Sequence, residues 1–518
     1  MKKLFLIASV VVAGLFASAN PAAAADLLTN PGFELDQSQT LTGWTSYGPN
    51  GYNETGAPAH SGTNYYKVYQ AFNGAVNYTG IYQDYISGPG ATYSADGWAY
   101  TASTDTLAGQ NAAWIEVTFR DANANVLALY RSSSITTNVI ASGMFPKSTW
   151  VDLPVTNQFD PGTYALTNTV TTLVAPAGTY FVQYQIVFQG DAAYSGGSVY
   201  FDDLNLQQAG GSPYGNWNLT WSDEFNGTSI NSSVWTYDTG AGGWGNSELE
   251  DYTTTNAYVS GGVLHIVARQ TTPGATTYTS ARMKTEGLVS WKYGRFEWRA
   301  QLPTGAGFWP ALWLLGTNIA PPGPGWPLCG EIDVMENKGS ALTNVQGSLH
   351  TSGSNPTAVY TLPGNGSVTN FHTYTLDWAT NSLIWYVDGH LYEMQTSWVN
   401  GTNAYPSPLN APFFIIMNVA VGGQYLGYPT PATINANSTF PGDMQVDYVR
   451  IFNQTAPLTI SAARTGKTIT LSWPTDIVCH PQAEFGSLNA GWTDLSGSPN
   501  PLVVTPTNTA TFYRLASP

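Results

Sequence analysis

At 518 residues the chain is too long for one hydrophobic core, and two or three domains are expected. Its 17 basic and 33 acidic residues leave a formal net charge of −16, which argues against nucleic acid or an anionic membrane as a partner. Only 10% of residues are charged, while 18 are Trp, 31 are Tyr and 53 are Gly, a composition suited to a turn-rich β protein with many flat side chains that can lie on sugar rings.

The first element in chain order is a leader. Lys2 and Lys3 precede an apolar run over residues 4–17, and four alanines at 22–25 offer small residues for cleavage. This reads as a secretory signal over residues 1–25, with Asp26 the first mature residue. The run is short for a membrane span and no later segment resembles one, so an exported, soluble monomer is expected. Short alternating stretches then recur at 114–119, 180–188, 263–269, 295–301 and 446–452, separated by Gly, Asn, Pro and Ser. No long stretch keeps a helical period, and the fold class is all-β. Composition breaks at Ala-Gly-Gly-Ser-Pro (209–213) and near 453–457 divide the mature chain. They give an N-terminal module over 26–208, a flexible linker over 209–214, a central domain over 215–453 and a small C-terminal β unit over 457–518. Cys329 and Cys479 fall in different units, and two buried thiols are expected rather than a disulfide between them.

The central domain carries the chemistry. Trp309 and Trp313 are four apart, so a strand puts them on one face, and Trp326 follows five residues before Glu331. Three acids then fall within six residues: Glu331, Asp333 and Glu336. On a regular strand Glu331 and Asp333 share a face and Glu336 points away. One extra residue, a β-bulge around Val334 and Met335, returns Glu336 to the face of the other two. Like charges this close cannot all ionise freely, so at least one carboxyl stays protonated towards neutral pH. A carboxylate nucleophile beside a carboxylic acid is the equipment for breaking a glycosidic bond with retention of configuration. The plainer readings are an acidic edge strand and tryptophans that belong to a sandwich core. A metal centre on Glu331, Asp333, Glu336 and His350 is disfavoured, because catalytic zinc prefers several histidines.

The matching stretches 221–225, 245–249, 280–282, 293–297, 309–313, 330–336, 385–389 and 446–450, with Trp326 and His350, run in order through a central domain that resembles glycoside hydrolase family 16, in particular its laminarinase-like endo-β-1,3-glucanases. The resemblance implies a β-jelly-roll sandwich with a sugar cleft on its concave face and a retaining double displacement. Glu331 matches the nucleophile, Glu336 the acid/base, and Asp333 the intervening acid that hydrogen-bonds Glu331. It makes Trp309, Trp313 and Trp326 sugar platforms, puts His350 beside the acid/base, and gives Asn246 and Arg282, with Trp291 as a further candidate, to sugar binding. It also implies a structural calcium ion on the convex face near Glu224, Gly262 and Asp447, and no cofactor for catalysis. The N-terminal module resembles carbohydrate-binding modules of the family 4/9 type. Its tyrosines cluster at Tyr65, Tyr66, Tyr69, Tyr78, Tyr82 and Tyr85, without a sign of which reach a ligand. The expected function is a secreted β-1,3-glucanase with a β-glucan polysaccharide as its partner. The alternatives are a family 16 hydrolase or transglycosylase for another β-glucan or a galactan, and a non-catalytic glucan-binding protein.

Overall fold

The structure, a computed structural model, describes residues 26–35, 41–210, 217–364 and 366–454, and beyond them the strands 461–465, 468–472, 480–485, 493–494, 502–504 and 511–516. The leader, Cys479 and most of the expected linker lie outside these residues. Ala209 and Gly210, assigned to that linker, instead close the strand Ser198–Gly210. Strands dominate, and the described α-helices are two short ones, Thr137–Ala141 and Pro431–Asn437.

Two separate cores form. In the N-terminal unit the strand Thr92–Tyr100 alternates strictly between half-buried and buried positions, the signature of a strand with one face inward. It pairs with Ser198–Gly210 in one sheet. A second sheet runs through Asn77–Ile86, Phe181–Gly190, Ala112–Arg120 and Val126–Arg131. Phe33, Tyr66, Tyr93, Ile115, Val117, Tyr184 and Phe201 fill the space between.

The central unit is also a two-layer sandwich. Its inner sheet has the order Thr236–Asp238, Arg282–Lys284, Phe413–Val421, Phe308–Gly316, Glu331–Glu336, Asn344–His350 and Thr357–Thr361. Its outer sheet includes Val263–Gln270, Gly442–Gln454, Gly294–Gln301, His372–Ala379, Ser382–Val387 and His390–Gln395. Trp298, Leu312, Ile332, Met335, Trp385, Ile415 and Val449 pack between the layers. The run Phe413–Val421 is buried along its whole length, as its nearly continuous apolar sequence requires of a central strand.

The two units meet directly. Tyr85 pairs with His390, extending the outer sheet of the central unit into the N-terminal one. The Ile86 amide donates to the Gly389 carbonyl at 2.7 Å, and the Tyr85 hydroxyl to the Asp388 carbonyl at 2.8 Å. Thr29 Oγ1 lies 2.8 Å from His390 Nε2, and Ile86, Ala122, Phe181, Ile384 and Tyr386 bury a small apolar cluster behind the seam. The described strands of the C-terminal unit form two three-stranded sheets.

Candidate active site

The bulge sits where the spacing of the acids demands it. Against the strand Phe308–Gly316, Leu315 faces Glu331, Trp313 faces Asp333, and then Leu312 faces Met335 and Ala311 faces Glu336, so Val334 is the extra residue. On the other side Glu331, Asp333 and Glu336 pair with His350, Ser348 and Gln346. Those three partners alternate along one regular strand, so all three acids emerge on one face. Val334 and Met335 both turn into the core. Gly330 launches the strand at φ +80°, and a Cβ there would meet Pro408 Cγ at 2.5 Å, so only glycine suits the position.

The three acids line a cleft of about 520 Å³ together with Trp309, Trp313 and Trp326. Two of the indoles hold the outer acids in place. Trp326 Nε1 donates to Glu331 Oε2 at 3.1 Å, and Trp309 Nε1 donates to Glu336 Oε1 at 2.9 Å. Trp326 is 58% exposed, so its ring offers a face to a ligand while its edge is engaged. Gln346 Nε2 gives Glu336 a second, longer bond at 3.3 Å. Asn246 and Arg282 also line the cleft. The Arg282 guanidinium lies 4.8 Å from the Trp313 ring centroid and 5.2 Å from that of Trp244, and its Nε is 3.0 Å from Asp238 Oδ2.

Burial pushes all three carboxyls up. The neighbouring Asp333 charge raises Glu331 further, with the His350 ring opposing it, and Glu393 raises Asp333 from behind. Glu336 is pushed up to about 8 by burial and by Asp333, against its hydrogen bonds from Trp309 and Gln346. The strand therefore carries fewer than three negative charges near neutral pH, and chemistry that needs one ionised and one protonated carboxyl is available to it.

Several expected placements change. His350 stands opposite Glu331 rather than beside Glu336, with Nε2 3.0 Å from Asp333 Oδ2. That oxygen has no hydrogen-bond partner among the described residues. Glu331, Asp333 and His350 bring ligand atoms within 4.8 Å of one another, but two acids and one histidine lack the several imidazoles of catalytic zinc sites. Trp291 is not in the cleft: it bridges Phe413 and packs against Trp221 and Phe296. On the convex side Arg450 grips Glu224 through two bonds of 2.9 and 2.8 Å, and Arg299 lies 2.6 Å from Asp447. The Glu224 and Asp447 carboxylates are thus each paired with an arginine, and a calcium ion there would draw on carbonyl oxygens such as that of Gly262. Cys329 is a buried free thiol, as expected.

Trp244, Glu248, Asn418 and Gln424 also line the cleft, and the sequence reading passed over them. Asn418 did carry a signal, as the lone polar residue inside the apolar run Phe413–Val421. Trp244 and Glu248 sit in a glycine-rich loop, where spacing does not tell which way a side chain points.

The N-terminal unit has a groove of its own, about 510 Å³, on the sheet carrying Ala112–Arg120. Glu116 is buried at its floor and accepts from Trp114 Nε1 at 3.1 Å, Arg131 Nε at 2.6 Å and Gln185 Nε2. The Arg131 guanidinium lies 4.6 Å from the Trp114 ring and 5.3 Å from that of Tyr164, while Tyr78 and Tyr164 are 52% and 59% exposed. Among the clustered tyrosines Tyr78 reaches this groove, Tyr65 and Tyr66 are buried, and Tyr85 belongs to the seam.

The model of the family "Glycosyl hydrolases family 16" matches residues 247–450. A beta-glucanase of Rhodothermus marinus is 39% identical over 253 residues, which cover 46% of this chain and 85% of that protein. Glucan endo-1,3-beta-glucosidase A1 of Niallia circulans is 39% identical over 264 residues, 46% of this chain but only 38% of that protein, so the chain spans less than half the length of that relative. The solved catalytic domain of an endo-1,3-beta-glucanase (laminarinase) from Thermotoga petrophila RKU-1 is 39% identical, with a TM-score of 0.41 over 46% of this chain and 98% of that one.

Proposed function

The chain belongs to glycosyl hydrolases family 16, and we propose that its central unit cuts β-1,3-glucan of the laminarin type within the chain, with retention of configuration. One observation carries the reading: the bulge at Val334 brings Glu331 and Glu336 to one face, each anchored by an indole N–H, with Asp333 between them. Glu331 attacks the anomeric carbon as the glycosidic C–O bond breaks, and Glu336 gives its proton to the leaving oxygen. Water then opens the glycosyl ester, surrendering a proton to Glu336 and restoring both acids. The β-1,3 linkage is supported by the names of the relatives, the double displacement by the chemistry of two such carboxyls, and export by the leader at residues 1–25. Catalysis in this reading needs no cofactor.

The test is the product profile of the purified chain on laminarin, lichenan and agarose, with the newly released anomer followed by NMR. Mixed laminari-oligosaccharides born as β anomers are expected. Release from agarose instead would reassign the substrate, α products would exclude a double displacement, and binding without new reducing ends would make the chain a glucan-recognition protein.

The N-terminal groove is the proposed seat of carbohydrate binding outside the active site. Its support is chemical: exposed tyrosine faces, a tryptophan, and a buried carboxylate with fixed donors suit a neutral sugar chain. Tyr78→Ala is expected to lower retention on insoluble β-1,3-glucan at least about tenfold, since this half-exposed ring is the kind of aromatic anchor that contributes well over 1 kcal/mol to binding. Hydrolysis of short soluble oligosaccharides should not change. Unaltered retention would remove the groove from the proposal.

A further inference from the structure

A directional chain of hydrogen bonds runs along one wall of the cleft. Trp313 Nε1 donates to Asn418 Oδ1 at 2.8 Å, and Asn418 Nδ2 donates to Tyr252 Oη at 3.1 Å. Tyr252 donates in turn to Glu248 Oε2 at 2.9 Å, while Asn246 Nδ2 donates to Glu248 Oε1 at 3.1 Å. An indole N–H can only donate, so Asn418 must turn its oxygen to Trp313 and its amide to Tyr252. The tyrosine proton is then free for Glu248. Every link points at that one carboxylate, and Glu248, Tyr252 and Asn418 are all buried.

Glu250, two residues on, is buried as well. Its Oε2 accepts the Val421 amide at 2.6 Å, but its buried Oε1 meets no donor among the described residues. Burial and the adjacent Glu248 hold Glu250 well above the usual carboxylate range. A proton on Glu250 gives Glu248 a further donor and avoids two neighbouring buried anions.

We propose that Glu248 is a positioning residue that fixes the Asn246 amide and, through Tyr252 and Asn418, the plane of Trp313 for the bound glycan. It takes no part in bond breaking. Losing it therefore removes binding made equally in ground and transition states, which raises KM and leaves kcat nearly unchanged. The inference rests on the glucanase reading above.

Two isosteric variants separate positioning from packing. Glu248→Gln puts an NH₂ where both partners already donate, so either Asn246 flips or Tyr252 loses its acceptor. Glu250→Gln keeps a neutral group that still offers an oxygen to Val421 and an N–H to Glu248. With the full mature chain on laminarin, Glu248→Gln should raise KM by about tenfold or more, the scale of one hydrogen bond to a charged group, with kcat within about threefold. Glu250→Gln should stay within about twofold of wild type in both. Tyr252→Phe, which breaks one link, should shift KM in the direction of Glu248→Gln and serves if that variant fails to fold. Unchanged KM in Glu248→Gln, or equal losses in the two glutamine variants, overturns the proposal. A wild type that releases no reducing ends sinks the glucanase reading instead, and mobility in laminarin-containing gels, with the same expected order of variants, then decides on Glu248 alone.

Discussion

Glu331→Ser is expected to lower kcat on laminarin by at least about 10⁴-fold, more than 5 kcal/mol in the barrier, and to leave glucan binding within a few fold of wild type. The asymmetry follows from what each group touches. In the proposed function sugar rings rest mainly on Trp309, Trp313 and Trp326, which line the cleft and whose faces remain when one carboxylate goes. The missing carboxylate is the group proposed to form the covalent bond, and serine at the end of a shorter side chain does not reach its place. The substitution also leaves Trp326 Nε1 without its acceptor at a site open to solvent, where water can replace it. A small external anion should then restore turnover. Azide entering the vacated space attacks the anomeric carbon from the face Glu331 used, while Glu336 still protonates the leaving oxygen. The product from a β-glucan is an α-glycosyl azide, with a single inversion. Mass spectrometry and the anomeric coupling constant identify it. A β-azide from this variant would exchange the roles of Glu331 and Glu336, and near-normal activity without azide would remove Glu331 from the reaction.

Much of the site was legible because a strand has a period of two. The spacing of Glu331, Asp333 and Glu336 forces a bulge if the three act together, and Val334 is the residue that absorbs it. Trp309 and Trp313 were legible for the same reason. What escaped was set by register between distant strands. His350 faces Glu331 because Asn344–His350 pairs with the acidic strand at that offset, and nothing local to either segment encodes it. Trp291 turns into the core because it bridges Phe413, 122 positions away. The bond from Asn418 to Tyr252 joins residues 166 apart. Charge pairing escaped in the same way: the arginine partners of Glu224 and Asp447, Arg450 and Arg299, come from distant positions in the sequence. The Gly-rich stretch at 209–213 suggests units held apart, whereas Tyr85, Ile86 and His390 join them along a strand edge. A seam of that kind depends on the shape of both surfaces, which composition does not express.

Glu336→Gln is expected to cost about 10³-fold or more in kcat/KM and, at neutral pH, to make the folded chain more stable. The activity loss follows from the proton: an amide neither protonates the leaving oxygen nor takes a proton from water. The gain in stability follows from the same burial that readies Glu336 for catalysis. Its folded pKa is pushed up to about 8 from an ordinary value of 4.5. Between those values the folded chain keeps a proton that the unfolded chain releases, so wild-type stability from this group is fully present below about 4.5 and declines as pH rises towards about 8. Glutamine has no proton to lose and keeps an oxygen for Trp309 Nε1, while Gln346 can turn its own amide to suit. The stability difference should therefore be small at pH 4, grow to on the order of 1–3 kcal/mol by pH 7, and level off above pH 8. In thermal unfolding of the central unit that is about 2–4 °C per kcal/mol. The wild-type rate should fall along an alkaline limb near the same pH, because the acid form is the one that protonates the leaving group. A gain in melting temperature that does not vary with pH would show that Glu336 is not the strained proton carrier. The variant would then owe its stability to packing, and the acid for the first step would have to be sought in Asp333.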